Sequence, residues 1–275
     1  MRAGAHPLWL RLVDIALAAG RLQRSYFRQR PAVQAKADLS PVTIADTETE
    51  ALIHAALREA AGDIPVVAEE AVAAGNVPPV GSRFFLVDPL DGTREFVAGR
   101  DEFTVNIALI EAGRPVLGVV LGPVAGALYC VGGGGEALVA DAGDLAGPAD
   151  QLAFQRISTR VPDLSGLVAV VSRSHLTPQT EAYLGGLSIA ERRAVGSSIK
   201  FCAIAEGAAD IYPRFGPTNE WDTAAGHAVL SAAGGSVCEP DGQPLMYGRA
   251  GRRFRNPDYI AWGGPAFTLP KAKYQ

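Results

Sequence analysis

The chain has 275 residues, of which 48% are apolar and 20% charged; this suits one large or two modest globular domains and excludes a disordered protein. The net charge of −4 lacks the basic bias of nucleic-acid-binding surfaces, so no nucleic-acid partner is expected. No apolar run approaches the roughly 18 residues of a transmembrane segment and no signal peptide is recognisable, which predicts a cytoplasmic protein, with peripheral membrane association left open.

The N-terminal region is predicted to hold two helices. Apolar side chains from Leu8 to Tyr26 recur at spacings of three and four residues, which predicts one amphipathic helix. The segment SPVTIAD, 40–46, predicts a short loop or strand. A second helix is predicted from about Thr47, because Thr47 and Glu50 have the spacing of a capping box.

Strands are predicted in the next part of the chain. DIPVVAEE, 63–70, and FFLVD, 84–88, are apolar runs that end in acids. From 103 to 140, three β-rich runs separated by turns predict an antiparallel meander. The four glycines at 132–135 are expected in a hairpin turn and not in a phosphate loop, because no helix-forming segment follows them. The segment 141–156, rich in Ala, Gly and Asp, is predicted to be a surface connection.

The C-terminal half is predicted to alternate strands and helices. LVAVVSRS, 167–174, and IYPRF, 211–215, are predicted strands. SIKFCAIAEGAAD, 198–210, and WDTAAGHAVLSAAGG, 221–235, are predicted helices, the second of them ended by glycine.

The order of these elements predicts two layered subdomains of the α/β (α+β) class with a cleft between them. Residues 1–145 would form an α+β subdomain with the antiparallel sheet, and residues 146–275 an α/β subdomain. Three cysteines, Cys130, Cys202 and Cys238, lie far apart without a C-x-x-C pair, so we expect buried or half-buried thiols, with redox control as the alternative.

Four acids share one predicted position, at the end of an apolar strand or the start of a helix: Glu69, Asp88, Asp91 and Asp222. Carboxylates that crowd together repel each other unless a cation lies among them. Hard oxygen ligands suit Mg²⁺, and two such ions can clamp the attacking and leaving oxygens of a phosphoryl transfer. Singly, each acid is better explained as a cap, a turn residue or a surface charge; the string D-P-L-D-G-T at 88–93 favours a metal site.

The stretch LVDPLDGTREF, 86–96, supports this interpretation residue by residue. Pro89 lets the chain leave the strand, and the carbonyl of Leu90 can be a further metal ligand. Gly92 and Thr93 open a segment whose free N–H groups suit a phosphate, and the Thr93 hydroxyl can orient a water. Phosphatases of the haloacid dehalogenase type carry a nucleophilic Asp two residues before this Asp-Gly-Thr, where the chain has Pro89, so a metal-activated water is expected instead.

VVAEE, LVDPLDGTREF and EWDTAAGHAVLSAAGG resemble the metal motifs of the inositol monophosphatase superfamily of Mg²⁺-dependent, lithium-sensitive phosphatases. The resemblance covers about residues 10 to 265 and implies the layered α-β-α-β-α sandwich shared with fructose-1,6-bisphosphatase. DEFTVNIALIEAGRPVLGVV and GSSIKFCAIAEGAADIYPRFGPTNEWDTAAGHAV look most like the CysQ-type 3'(2'),5'-bisphosphate nucleotidases. The implied reaction removes the 3'-phosphate of 3'-phosphoadenosine 5'-phosphate, a by-product of sulfate activation, to give AMP.

The resemblance implies roles for particular residues. Two Mg²⁺ ions, or three, would be held by Glu69, Asp88, the Leu90 carbonyl, Asp91 and Asp222, with Asp88 shared between two of them. Asp46 would pair with Thr93 to align and deprotonate the attacking water, and Glu70 would hold a metal-bound water. Without the resemblance, a helix cap is an equal interpretation of Asp46.

Residues expected to contact the phosphorylated small-molecule substrate are Gly92, Thr93, His175, Ser197, Lys200, Arg214 and Asp222. Lys200 and Arg214 are the cations that a bisphosphate needs, because charge-assisted bonds to phosphate are strong. Three alternatives stay open: a preference for inositol 1-phosphate or fructose 1,6-bisphosphate, a non-catalytic metal- or nucleotide-binding module, and a main role within a complex. The protein is expected to be a monomer or a homodimer.

Overall fold

The computed structural model of the protein describes residues 7–29, 32–35, 41–173, 176–266 and 270. Within them the α-helices are α1 Leu8–Gln29, α2 Ile44–Ala61, α3 Glu69–Ala73, α4 Thr93–Val97, α5 Pro178–Gly185, α6 Ile199–Ala205 and α7 Ala224–Ala232. The strands are β1 Val33–Ala35, β2 Pro41–Thr43, β3 Val66–Ala68, β4 Arg83–Asp91, β5 Thr104–Glu111, β6 Arg114–Leu121, β7 Ala127–Val131, β8 Ala137–Asp141, β9 Gln155–Arg156, β10 Leu167–Ser172, β11 Ile189–Val195, β12 Ile211–Arg214, β13 Ser236–Cys238 and β14 Tyr259–Trp262.

Two large sheets organise the part of the chain that the structure describes. The first runs β3-β4-β5-β6-β7-β8-β9, with β3 parallel to β4 and the other pairs antiparallel. The second runs β11-β10-β12-β14-β13 and mixes parallel and antiparallel pairs. The meander and its hairpin turn are confirmed, because Val131 pairs with Ala137 across the four glycines.

Alternation along the strands gives the first sheet two apolar faces. Phe85 and Val87 point to one face and pack with buried residues of α1 and α2. Phe84 and Leu86 point to the other face and pack with α6 and α7. Since both faces are buried at this point of β4, the run FFLV at 84–87 is apolar at every position.

The second sheet completes a five-layer arrangement. One of its faces shares the apolar cluster of α6 and α7, and its other face packs with Tyr183 and Leu184 of α5. The order is therefore α1 and α2, the first sheet, α6 and α7, the second sheet, and α5. This confirms the expected α-β-α-β-α sandwich, and the three cysteines are buried within it as predicted. No helix in the described ranges is both long and apolar enough to cross a membrane.

The second helix begins earlier than predicted, and the capping box assigned to Thr47 is wrong. The helix starts at Ile44, and its cap is Thr43, whose hydroxyl accepts the Ala45 N–H at 3.1 Å. Asp46 completes the box by accepting the Thr43 N–H at 2.7 Å. Thr43 is the helix cap because it ends the extended strand β2 and Asp46 lies three residues after it.

Two further boundaries differ from the sequence prediction. Residues 141–156 are more than a surface connection: they contain a 3₁₀ helix, Ala149–Gln151, and β9, and Leu145 is buried against α1 and the first sheet. The helix predicted over 198–210 ends at Ala205, because Gly207 has a φ of 76° and turns the chain toward β12.

Two glycines let α7 lie unusually close to its neighbours. A Cβ on Gly118 of β6 would stand 2.5 Å from the carbonyl oxygen of Ala225 in α7. A Cβ on Gly226 of α7 would stand 2.7 Å from the Cβ of Phe201 in α6. Both distances are shorter than real Cβ contacts, so the inner helical layer can approach only because both positions lack a side chain.

His227 of α7 is a core residue of this layer. Its Nδ1 lies 2.9 Å from the hydroxyl of Tyr247, and it is 7% exposed. Burial, with a smaller effect of the Arg114 charge, lowers the pKa of His227 to about 3. The imidazole is therefore neutral and packs within the fold at neutral pH.

Gly118→Ala is predicted to destabilise the protein. The added methyl group must displace the α7 backbone, and overpacking of this kind costs about 1–3 kcal/mol in the free energy of unfolding. Denaturant unfolding measures the loss, with Gly81→Ala as the matched control, because a Cβ at Gly81 meets nothing within 4 Å. Equal stability of the two variants would contradict the close packing of α7.

Candidate active site

A cleft of about 250 Å³ is lined by residues from both halves of the chain. The first half contributes Glu69 and residues 91–95. The lining from the second half includes Ser197, Lys200, Tyr212, Arg214 and Asp222. Segments predicted for metal binding and segments predicted for substrate contact therefore face the same space.

Three carboxylates meet at this cleft. Glu69, Asp88 and Asp222 each offer an oxygen atom, and these three oxygens lie within 4.8 Å of one another. Burial, followed by the charges of Asp91 and Glu69, raises the pKa of Asp222 well above its ordinary range. A divalent cation would offset both the repulsion and the lost hydration, so these residues fit a hard ion such as Mg²⁺.

The motif D-P-L-D forms a bulge inside β4, and the expectation that the strand ends at Asp88 is wrong. Asp88 pairs with Asn106 of β5, and Asp91 pairs with Thr104. Three steps along β4 thus match two steps along β5, which places one extra residue on β4. Pro89 suits that position because it has no N–H to offer the ladder. The bulge aims Asp88 and Asp91 toward the cleft while the strand continues.

Two hydrogen bonds hold the bulge from the inside. Asp88 Oδ1 accepts the N–H of Leu90 at 3.0 Å. Gln23 of α1, which is fully buried, donates from Nε2 to the carbonyl of Pro89. The carbonyl of Leu90 accepts the Thr93 hydroxyl at 3.2 Å and thus lies beside the next group of site residues.

Glu69 is presented by the first turn of α3, directly after β3. The N-terminus of α3 lacks a side-chain cap of its own. Glu50 of α2 supplies one, since its carboxylate accepts the N–H of Glu70 at 2.7 Å and of Ala71 at 2.8 Å. Glu50 therefore caps α3 and not its own helix. Glu70 is half-buried in the same turn.

Asp46 and Thr93 are joined as the sequence predicted. The Thr93 hydroxyl donates to Asp46 Oδ1 at 3.0 Å. The other oxygen of Asp46, Oδ2, accepts the N–H and the hydroxyl of Thr43, each at 2.7 Å. The interpretation of Asp46 as a helix cap is therefore confirmed, and its other oxygen meets Thr93, while the catalytic role of Asp46 stays a prediction. Gly92, with a φ of 98°, turns the chain between the bulge and Thr93.

Asp222 ends a 3₁₀ helix, Glu220–Asp222, that leads into α7. Its Oδ2 accepts the N–H of Asn219 at 2.8 Å. The fully buried Glu220 accepts the N–H groups of Gly248 and Arg249, each at 2.7 Å, and so anchors this short helix to the following loop.

A cationic wall faces the acids. Lys200 and Arg214 are both 6% exposed and both line the cleft. Lys200 Nζ lies 5.2 Å from the centre of the Tyr212 ring and donates to the Ser197 carbonyl. The Ser197 Oγ is buried without a hydrogen-bond partner in the described part of the chain. His175, the remaining predicted contact, lies outside the described residues.

The sequence prediction missed Ser198. Its hydroxyl lies 2.7 Å from Asp91 Oδ2, 2.9 Å from the carbonyl oxygen of Asp222 and 2.9 Å from Nδ2 of Asn106. The resemblance to known nucleotidases pointed to the neighbouring Ser197 as a substrate contact, and no sequence pattern relates Ser198 to β4. Arg94, next to Thr93, was also missed and lines the cleft.

The family model of the inositol monophosphatase family matches residues 8–263 of this chain. The chain belongs to the inositol monophosphatase family. It is a family of metal-dependent phosphatases. The group of three acids at the cleft is consistent with a metal-dependent phosphatase.

Relatives that align with most of this chain carry the name CysQ. The 3'(2'),5'-bisphosphate nucleotidase CysQ of Shigella flexneri is 46% identical over 215 residues, which are 78% of this chain and 82% of the relative. CysQ of Buchnera aphidicola is 36% identical over 251 residues, 89% of this chain and 91% of the relative. The crystal structure of CysQ from Bacteroides thetaiotaomicron has a TM-score of 0.75 at 38% identity and covers 92% of this chain and 96% of that one. These findings confirm the CysQ-type resemblance.

Without metal, the contribution of Asp222 to the stability of this inositol monophosphatase family member is predicted to fall as the pH rises above about 4. Asp222 of the unfolded chain ionises near the ordinary Asp pKa of about 3.9, whereas folded Asp222 keeps its proton to higher pH. The folded state then binds more protons, so the free energy of unfolding decreases with pH. In Asp222→Asn the decrease should be shallower.

Denaturant unfolding in EDTA at several pH values measures this dependence. The matched control is Asp63→Asn, which removes an exposed carboxylate outside the cleft and should leave the wild-type slope unchanged. A slope for Asp222→Asn as steep as that of the wild type would show that Asp222 is not the group responsible.

Proposed function

We propose that the protein is a Mg²⁺-dependent phosphomonoesterase that removes the 3'-phosphate of 3'-phosphoadenosine 5'-phosphate to give AMP and phosphate. One observation carries the proposal: the acids Glu69 and Asp222 line the same cleft as the buried cations Lys200 and Arg214. A substrate with two phosphates needs both groups: the acids to bind metal ions at the phosphate that is removed, and the cations to bind the second phosphate. The name of the CysQ relatives, 3'(2'),5'-bisphosphate nucleotidase, supports this choice of substrate.

The proposed metal ligands are Glu69, Asp88, the Leu90 carbonyl, Asp91 and Asp222. The three acids that share one small space supply the core of this set. Asp91 is half-buried at the other end of the bulge from Asp88, and its charge raises the pKa of Asp222. Both observations support its inclusion among the metal ligands. Bound Mg²⁺ would neutralise charge on the phosphate and lower the pKa of a coordinated water.

The proposed role of Thr93 and Asp46 is to align the attacking water and remove its proton. Thr93 donates its own proton to Asp46 Oδ1. Its oxygen therefore has a lone pair that can accept a hydrogen bond from a water in the cleft that Thr93 lines. A water that donates to Thr93 Oγ1 would pass its proton to the hydroxyl while Thr93 passes its own to Asp46. Thr43 fixes the other oxygen of Asp46 and so keeps the carboxylate oriented. Glu70, in the first turn of α3, is the proposed acceptor for a second water.

The proposed substrate contacts follow from the two sides of the cleft. Gly92, Thr93 and Asp222 would lie against the 3'-phosphate and the ribose. Lys200 and Arg214 would bind the second phosphate, since buried cations form strong charge-assisted bonds with phosphate oxygens. Ser197 has a buried hydroxyl at the cleft and is proposed to donate to the nucleotide. His175 remains a proposed contact of the base.

Phosphate release with Mg²⁺ tests this function directly. The substrates are 3'-phosphoadenosine 5'-phosphate, inositol 1-phosphate and fructose 1,6-bisphosphate at equal concentration. The proposal expects kcat/KM to be highest for the nucleotide by a wide margin and activity to disappear in EDTA. A higher kcat/KM for either other substrate would overturn the substrate assignment and leave the metal site in place. Nucleotide binding without any phosphate release would favour a binding module.

Asp91→Asn is predicted to abolish turnover while the fold is kept. The substitution preserves the shape of the side chain and removes the anionic ligand, and loss of such a ligand should lower kcat by at least about a thousandfold. Phosphate release and thermal unfolding are measured together on the same preparation. Wild-type turnover by a folded Asp91→Asn protein would refute the role of Asp91.

Lys200→Met is predicted to act on nucleotide binding and not on the chemical step. A hydrogen bond to a charged group contributes about 1.5–3 kcal/mol, so KM for the bisphosphate should rise roughly 10- to 150-fold with kcat nearly unchanged. For inositol 1-phosphate, which has no second phosphate, kcat/KM should change little.

The matched control is Arg192→Met. It removes a cation whose partner is Glu181 in an exposed ion pair, and Arg192 does not line the cleft. This control should keep the wild-type KM for both substrates. An equal loss of activity toward both substrates in Lys200→Met would contradict its assignment to the second phosphate.

A further inference from the structure

The Ser198 hydroxyl is a junction between the two halves of the site. Ser198 is the residue before α6, and it is 2% exposed. Its oxygen contacts groups on three other elements: Asp91 at the end of β4, Asn106 on β5, and Asp222 at the end of the 3₁₀ helix. The first turn of α6 also carries Lys200 of the cationic wall. A single hydroxyl thus ties that wall to the acids.

Asn106 fixes the direction of the Ser198 proton. Asn106 is 1% exposed, and its Nδ2 donates to Ser198 Oγ at 2.9 Å. Because the hydroxyl oxygen accepts this bond, its own proton points away from Asn106, where Asp91 Oδ2 at 2.7 Å and the Asp222 carbonyl at 2.9 Å are within reach. The carboxylate is the stronger acceptor, since bonds to an ionised oxygen are shorter and stronger.

This bond holds one particular oxygen of Asp91, Oδ2. The terminal torsion of an aspartate has a broad energy profile, so the carboxylate has little orientation of its own. Ser198 binds Oδ2 at 2.7 Å, and Thr104 also approaches Oδ2, at 3.4 Å. Both hydroxyls therefore lie on Oδ2, and neither of these two bonds involves Oδ1.

We propose that Ser198, directed by Asn106, is a positioning residue that orients Asp91 for metal binding; this rests on the proposed metal-dependent function. Ser198 touches neither the reacting phosphate nor the metal. It acts through Asp91, and its place directly before α6 makes the orientation of a metal ligand depend on the segment that carries Lys200 of the cationic wall.

Metal binding by the substrate-free protein tests the proposal. Ser198→Ala should raise the Kd for Mg²⁺ about tenfold, because loss of a group that orients a metal ligand typically costs 10- to 100-fold in affinity. Isothermal titration calorimetry gives the Kd, and the electron paramagnetic resonance spectrum of bound Mn²⁺ reports the changed ligand geometry. The midpoint of thermal unfolding without metal shows whether the fold is kept.

Asn106→Ala is the second variant, and it keeps the Ser198 hydroxyl but frees its rotation. It should raise the Kd for Mg²⁺ by a smaller factor, about threefold. In the Ser198→Ala background it should raise the Kd by less than about twofold, because both substitutions remove the same interaction. The matched control is Ser236→Ala, which removes a hydroxyl that donates to the Gly264 carbonyl at 2.7 Å in β13. This control should keep the wild-type Kd.

A folded Ser198→Ala protein with a wild-type Kd for Mg²⁺ would overturn the proposal. So would fully independent effects of Ser198→Ala and Asn106→Ala. The assay separates this failure from failure of the proposed function, because no substrate is present. A wild-type protein that binds Mg²⁺ but hydrolyses a different phosphate ester changes only the substrate assignment, whereas a wild-type protein that binds no Mg²⁺ contradicts the function itself.

Discussion

The mutual repulsion of carboxylates around one cleft is the constraint on which the rest of the structure depends. Oxygens of Glu69, Asp88 and Asp222 lie within 4.8 Å of one another, and burial, followed by the charges of Asp91 and Glu69, raises the pKa of Asp222. The fold keeps the acids in place with hydrogen bonds from backbone N–H groups and one serine: Asp88 accepts from Leu90, Asp222 accepts from Asn219, and Asp91 accepts from Ser198. A bound cation would further stabilise this arrangement of acids.

The packing of the layers brings the acids and the cations to the same cleft. The first sheet supplies the bulge of β4, and the second sheet supplies Arg214 at the end of β12. The inner helical layer joins the two sheets, and it fits because Gly118 and Gly226 let α7 approach β6 and α6. The site is thus a product of tertiary packing, because its lining residues come from both sheets and from α6.

Much of the site could be predicted because its chemistry is local in sequence. The string DPLDGT puts two acids, a carbonyl and a hydroxyl within six residues. Contacts between distant segments could not be predicted in this way. Glu50 caps α3 across 20 residues, and Ser198 reaches Asp91 across 107. The helix start at Ile44 was missed because Thr47 and Glu50 match a capping box, while Thr43 and Asp46 satisfy the real one with tertiary support from Thr93.

The most direct test of the central claim is a crystal soaked in Mn²⁺ and measured for anomalous scattering. Mn²⁺ takes the oxygen ligands that Mg²⁺ takes and is visible at its absorption edge. The account predicts two anomalous peaks joined by Asp88, one beside Glu69 and the Leu90 carbonyl and one beside Asp91 and Asp222. An absence of peaks among these acids, with ordered Mn²⁺ elsewhere in the crystal, would contradict it.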